Sequence, residues 1–92
     1  MLAPKITALK PEPPHTLVVT FETGEVRLFD LTPHLEWGVF QKLRPYELFK
    51  EAKADRWGVT WPTGQDLSRN TLYAEGVPVA PARAPDDAQQ EA

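Results

Sequence analysis

The chain has 92 residues, of which 41% are hydrophobic and 25% charged, and its formal net charge is -3. This length fits one small domain, and the composition is ordinary for a soluble globular protein. The absence of cysteine excludes disulfides, thiolate metal sites and cysteine nucleophiles. No stretch approaches the roughly 18 apolar residues needed to span a bilayer, and the N-terminal residues lack the apolar run of a signal peptide. We therefore expect a soluble, cytoplasmic protein that does not bind membranes.

The charge distribution argues against direct nucleic-acid binding by this domain. A nucleic-acid-binding surface normally carries a basic patch. The most basic stretch contains Lys42, Arg44, Lys50, Lys53 and Arg56, but Glu47, Glu51 and Asp55 lie among them. This mixture indicates a solvated helix face.

The clearest structural signal in chain order is a β-hairpin from Thr16 to Asp30. Leu17, Val19 and Phe21 alternate with more exposed positions, which is the period of a strand. Gly24 lies in the connecting turn, where it can adopt positive φ. A short strand at Ile6–Lys10, ended by the prolines that follow it, is predicted to precede this hairpin.

Short helices are predicted after the hairpin, where apolar residues recur every three or four positions. Thr32 is the predicted N-cap of the first, and Pro45 starts a second. A further strand is expected at 58–61. Ser68 is then expected to cap a last helix that Gly76 terminates.

Together these elements predict an α+β domain over residues 1–79, with a small antiparallel sheet containing the Thr16–Asp30 hairpin and one or two further strands, packed with short helices. The residues 80–92, APARAPDDAQQEA, lack periodicity and large apolar side chains. We expect a disordered, Pro/Ala-rich acidic tail there.

Three segments resemble a known family: FETGEVRLFDLTPHL, GVFQKLRPYELF and GVTWPTGQDLSRNTLY. They are similar to the bacterial family named domain of unknown function 2442, whose pattern reads F-x-N/D-G-E-x-R-x-F-D, then G-x-F-x-x-L, then W-P-N-G-x-D-L-x-P-x-x-L-Y. Arg69 and Asn70 depart from it, standing where the family usually has proline and often has an acid. The resemblance implies an α+β fold. Some relatives add a helix-turn-helix domain, and some of their genes neighbour small toxin-like partners.

The turn after Trp61 is open to two interpretations. Asp66 could accept hydrogen bonds from backbone amides in the turn at Gly64, which is a structural role. Alternatively, Trp61, Asp66 and Tyr73 could line a small ligand-binding pocket. The structural interpretation is the expected one.

Catalytic and metal-binding interpretations are weak. Asp30 is expected to cap the turn after the hairpin, and its pairing with His34 offers too few ligands for a metal. Ser68 is the only serine, and its predicted role is a helix cap. We therefore expect no enzyme activity, no metal and no cofactor.

The leading hypothesis is a non-enzymatic interaction or regulatory module, antitoxin-like in the form that the resemblance suggests. Its predicted partner surface contains Trp37, Phe40, Tyr46 and Trp57, because half-exposed aromatic residues are favoured interface anchors. The alternative is a small-ligand sensor that uses the pocket described above. A third hypothesis is a homodimer formed by pairing of exposed sheet edges.

Overall fold

The computed structural model of the protein describes residues 3–79. Strands in this part of the chain are β1 (Ile6–Glu12), β2 (Thr16–Phe21), β3 (Val26–Asp30), β4 (Lys53–Asp55), β5 (Gly58–Thr60), β6 (Asp66–Ser68) and β7 (Val77–Pro78). The α-helices are α1 (Tyr46–Phe49) and α2 (Arg69–Glu75), and 3-10 helices cover Thr32–His34 and Gly38–Leu43. The predicted α+β class is confirmed. The tail predicted at residues 80–92 lies outside the described residues.

The strands form two antiparallel sheets rather than the single predicted sheet. A four-stranded sheet has the order β1-β2-β3-β7, and a three-stranded sheet has the order β4-β5-β6. The predicted hairpin is β2–β3, and Gly24 in its turn has a φ of 90°. Strand β4 was missed because all three of its residues are exposed, so it carries no apolar alternation.

The core joins the inner faces of both sheets to the short helices. Alternation along β2 buries Leu17, Val19 and Phe21, and Phe29 of β3 lies on the same face. The other buried hydrophobic residues of this cluster are Ile6, Leu31, Leu35, Leu43, Phe49, Val59, Trp61, Leu67 and Leu72. Burying these side chains is the main source of stability in a domain of this size.

The helix starts follow the sequence signals with one correction. Thr32 is the first residue of its 3-10 helix rather than the N-cap, a position occupied by Leu31 without a side-chain hydrogen bond. The amide of Thr32 instead donates to the carboxylate of Asp30 at 2.9 Å, so Asp30 caps the turn as expected. Ser68 is the N-cap of α2, where its hydroxyl accepts a hydrogen bond from Thr71 N at 3.2 Å.

The backbones of β5 and β6 approach each other so closely at position 58 that only glycine fits there. A Cβ atom at this position would overlap the backbone carbonyl of Leu67 on β6. Glycine is therefore required for β5 and β6 to pair at their present distance. None of the helices within residues 3–79 is long and apolar enough to cross a membrane.

Candidate functional site

A polar network ties the turn end of β3 to α2. The carboxylate of Glu25 accepts hydrogen bonds from the Tyr73 hydroxyl at 2.6 Å and from Arg27 Nη2 at 2.9 Å. Arg27 Nη1 donates to the carbonyls of Tyr73 at 2.9 Å and Gly76 at 3.3 Å, and its guanidinium lies 3.9 Å from the centre of the Tyr73 ring. The arrangement fixes the end of α2 against the hairpin, which is a structural task.

The pKa values of this network agree with that task. Hydrogen bonds from Tyr73, and then from Arg27, lower the pKa of the Glu25 carboxyl. The bond to Glu25 and then burial raise the pKa of the Tyr73 hydroxyl. At neutral pH the pair is therefore a charged acceptor and a protonated donor, which favours a stable hydrogen bond between them.

The turn between β5 and β6 is held by Gln65. The amide of Trp61 donates to the Gln65 carbonyl at 3.1 Å, and the amide of Gly64, whose φ is 104°, donates to the Trp61 carbonyl at 3.0 Å. The Gln65 side chain is buried, donates to the carbonyl of Val39 at 2.7 Å and accepts from the Thr63 hydroxyl. Among the described residues 3–79, Gln65 therefore holds this turn in place, which is the structural role that was expected of Asp66.

The structure does not bring Trp61, Asp66 and Tyr73 together in one pocket. Trp61 is 4% exposed, and its indole Nε1 donates to the Phe49 carbonyl at 2.8 Å. Tyr73 faces Glu25 on the hairpin, as described above. Asp66 is exposed on β6, where it borders a depression of about 270 Å³ that neither Trp61 nor Tyr73 lines.

The four aromatic residues predicted as a partner surface occupy two regions. Phe40 lies 6.4 Å from Trp61, ring centre to ring centre, and Phe40 and Tyr46 are half-buried against the core. Trp37 lies in the same region, where its carbonyl accepts a hydrogen bond from the Phe40 amide, and it is 68% exposed. Trp57 is 58% exposed but lies at the other end of β5, about 13 Å from Trp61 along an extended backbone.

Trp57 covers a buried arginine. The guanidinium of Arg69 lies 4.7 Å from the centre of the Trp57 ring, and the Arg69 residue is 7% exposed. The backbone amide of Arg69 also donates to the Trp57 carbonyl at 2.8 Å. Within the described chain, Arg69 Nη1 has no hydrogen-bond partner. The indole of Trp57 is therefore held from below, while its outer face stays open to solvent.

The polar side chains that were considered as metal ligands each contact a different part of the protein. His34 lies 3.6 Å from Glu75 and stacks on Phe29, while Asp30 caps the Thr32 turn. His15 Nε2 is hydrogen-bonded to the Arg44 carbonyl at 2.7 Å. Among residues 3–79, no group of three or more histidine, cysteine or acidic side chains could hold a metal ion.

Comparison with known proteins assigns the family. The family model described as protein of unknown function (DUF2442) matches residues 6–78. The chain belongs to DUF2442. Searches of curated proteins and of solved structures find no match.

The residues of this chain that carry the resemblance described above have structural roles. Glu25, Arg27 and Tyr73 form the polar network, and Asp30 caps the turn after β3. Trp61 lies in the core, as do Leu67 and Leu72. These residues therefore hold the fold of this chain together.

Proposed function

We propose that this DUF2442 protein is a non-enzymatic protein-interaction module. The observation that carries the proposal is the exposure of two tryptophans, 68% for Trp37 and 58% for Trp57, beside a core that is complete without them. Val39, next to Trp37 across Gly38, is 57% exposed. Solvent exposure of such large apolar side chains is unfavourable in the isolated domain, and a partner that covers them recovers that free energy.

Tryptophan is also the residue type most enriched among interface hot spots. A ring held in position by its own chain loses little conformational freedom on binding, which favours affinity. Trp57 meets this condition because Arg69 supports it from below. A regulatory, antitoxin-like role in the bacterial cytoplasm is the specific form of this function that the family resemblance suggests.

The experiment is native mass spectrometry of the protein purified from its own host, as wild type and as the variants Trp37→Ala and Trp57→Ala. We expect a co-purifying protein of defined stoichiometry with the wild type, and reduced recovery of that protein with at least one variant. The matched control is Leu48→Ala, which truncates an apolar side chain that is 41% exposed in α1. Circular dichroism should show all three variants folded.

Two outcomes would count against the proposal. One is a wild-type protein that carries no partner. The other is a partner whose recovery is equal in the wild type, both tryptophan variants and the Leu48 control. A small bound mass instead of a protein would favour a ligand-binding function, with the depression beside Asp66 as its first location to test.

A further inference from the structure

The edge of β3 is only partly covered by β7. Strand β7 pairs with Arg27 and Leu28 and ends before Asp30. Backbone hydrogen bonds link Leu31 to His15 and Phe21 to Glu25, so the odd-numbered residues of β3 face β2. Because hydrogen-bonding direction alternates along a strand, the backbone N–H and C=O of Asp30 point to the side where β7 is missing. This position offers one donor and one acceptor to an added strand.

A groove of about 560 Å³ lies at the same place. Its lining residues are Thr16, Leu28, Phe29, Asp30, Pro33, His34, Glu75 and Val77. Leu28 and Val77 are direct cross-strand neighbours and are 40% and 65% exposed. The groove therefore joins an apolar wall to a free strand edge, and its volume falls within the range of about 300–1,000 Å³ typical of binding clefts.

The rim of the groove is acidic. Asp30 and Glu75 both line it, and the side chain of Glu75 is 56% exposed. The hydrogen bonds to Thr32 lower the pKa of the Asp30 carboxyl, which keeps this group ionised near neutral pH. His34 is the one basic residue type in the lining, and it lies against Glu75 at 3.6 Å. The charge of the rim thus complements a basic occupant.

We propose that this groove binds an extended, basic segment of a partner protein by strand addition. The segment pairs with the backbone of Asp30, places an apolar side chain against Leu28 and Val77, and sets a lysine or arginine against Asp30 and Glu75. Backbone pairing supplies affinity, and the alternate side chains supply specificity. The inference rests on the proposed interaction function and names the chemistry of one partner site.

A second copy of the chain fits this groove poorly. A twofold interface uses the same patch on both subunits. Two copies joined here would bring the Asp30 and Glu75 carboxylates of both chains to one interface, where like charges facing each other are destabilising. The acidic rim therefore selects a different chain with the opposite charge.

The test follows the amide chemical shifts of the ¹⁵N-labelled full chain as the blocked peptide acetyl-Val-Thr-Lys-Thr-Val-Thr-amide is added. In an extended peptide the two valines and the lysine share one face, as Leu28 and Asp30 do in β3. We expect saturable shifts centred on Leu28, Asp30 and Val77. The matched peptide with glutamate in place of lysine should bind at least tenfold more weakly. The same peptide with the backbone nitrogen of its lysine methylated, which removes the donor facing Asp30, should also lose binding.

Two variants locate the site. Glu75→Lys leaves one acidic and one basic group at the rim, so it should remove most of the preference for the lysine peptide over the glutamate peptide. Val77→Glu should weaken binding of the lysine peptide at least tenfold, whereas Leu48→Glu, at a position 41% exposed in α1, should leave it unchanged. Val77 and Leu48 are both exposed, so both variants should fold.

The inference is overturned if no shifts appear up to about 1 mM peptide, if both peptides bind equally, or if Leu48→Glu weakens binding as much as Val77→Glu. Loss of peptide binding alone leaves the proposed interaction function intact, provided that a partner still co-purifies in a tryptophan-dependent way. Absence of that partner together with specific peptide binding would reject the tryptophan surface and retain the groove.

Discussion

The two ends of β3 are built in opposite ways. At the turn end, Glu25 and Arg27 bond to each other and to α2, and β7 covers the strand edge. At the other end, Asp30 caps one turn but leaves its outward backbone groups and the neighbouring apolar groove open. The same strand thus has one end committed to the fold and one end available for contact.

This difference separates residues that hold the fold from residues that we propose bind a partner. Removing a group at the closed end leaves charged or hydrogen-bonding atoms without partners, which is costly. At the open end, the side chains face solvent, where substitutions usually change stability little. Substitutions at the closed end should therefore lower stability, and those at the open end, apart from the Asp30 carboxylate that caps the turn, should alter binding alone.

Among the substitutions at the two ends of β3, the largest effect is expected for Arg27→Ala. The change removes hydrogen bonds to the carbonyls of Tyr73 in α2 and of Gly76 directly after it, the pairing with Glu25 and the stacking on Tyr73. We expect a loss of about 2–3 kcal/mol in the free energy of unfolding, measured by urea denaturation. Arg56→Ala, which truncates an exposed arginine in the β4–β5 turn, is the control and should change stability little. Equal stability of the two variants would remove the distinction between the ends of β3.

Asp30→Ala should have a smaller effect. It removes the carboxylate that accepts from the Thr32 amide at 2.9 Å. By analogy with other capping side chains, the free energy of unfolding should fall by about 1 kcal/mol. Asp30→Asn retains an acceptor oxygen and should recover most of the loss in thermal unfolding. If the asparagine variant is as unstable as the alanine variant, the cap is not the cause.

Acid should weaken the closed end of β3. The pKa of Glu25 is lower in the folded chain than its ordinary value of 4.5, so the unfolded chain binds the proton more tightly. The stabilisation from Glu25 is therefore present above about pH 4.5 and is lost as the pH falls through the lower pKa of the folded state. The melting temperature of Glu25→Gln should depend less on pH in this range than that of the wild type. Parallel curves for the two proteins would contradict the assignment.

The smallest effect is expected for Leu28→Ser at the open end. Leu28 points away from the core and is 40% exposed, so the free energy of unfolding should change by no more than about 0.5 kcal/mol. Val19→Ser is the matched contrast on the inner face of the neighbouring strand, where the residue is fully buried and the loss should reach several kcal/mol. Similar losses for both would show that the outer face also supports the fold.

The sequence was most informative where a single residue type dictates local geometry. The hairpin followed from alternating Leu17, Val19 and Phe21 with Gly24 in the turn, and the start of α2 followed from Ser68. The start of α1 followed likewise from Pro45, whose backbone is extended.

Features that depend on long-range contact were not predictable. Arg27 contacts Tyr73 although the two are 46 residues apart in the sequence. Gln65 donates to the Val39 carbonyl, which lies 26 residues before it. Nothing in the sequence distinguishes the side chain of Arg27 or Gln65 from one that faces solvent. The groove beside Asp30 likewise exists only because α2 ends near β3, which no local pattern reveals. For this reason a pocket was predicted around Asp66 and not beside Asp30.

The three tryptophans lie in such different environments that their fluorescence can be used to follow folding. Trp61 is enclosed in the core and bonded to the Phe49 carbonyl, whereas Trp37 and Trp57 face solvent. Replacing the two outer rings with phenylalanine would leave one indole whose fluorescence emission shifts to longer wavelength only when the core admits water. The double variant would follow core opening optically, and each single variant would keep one outer indole to sense an arriving partner.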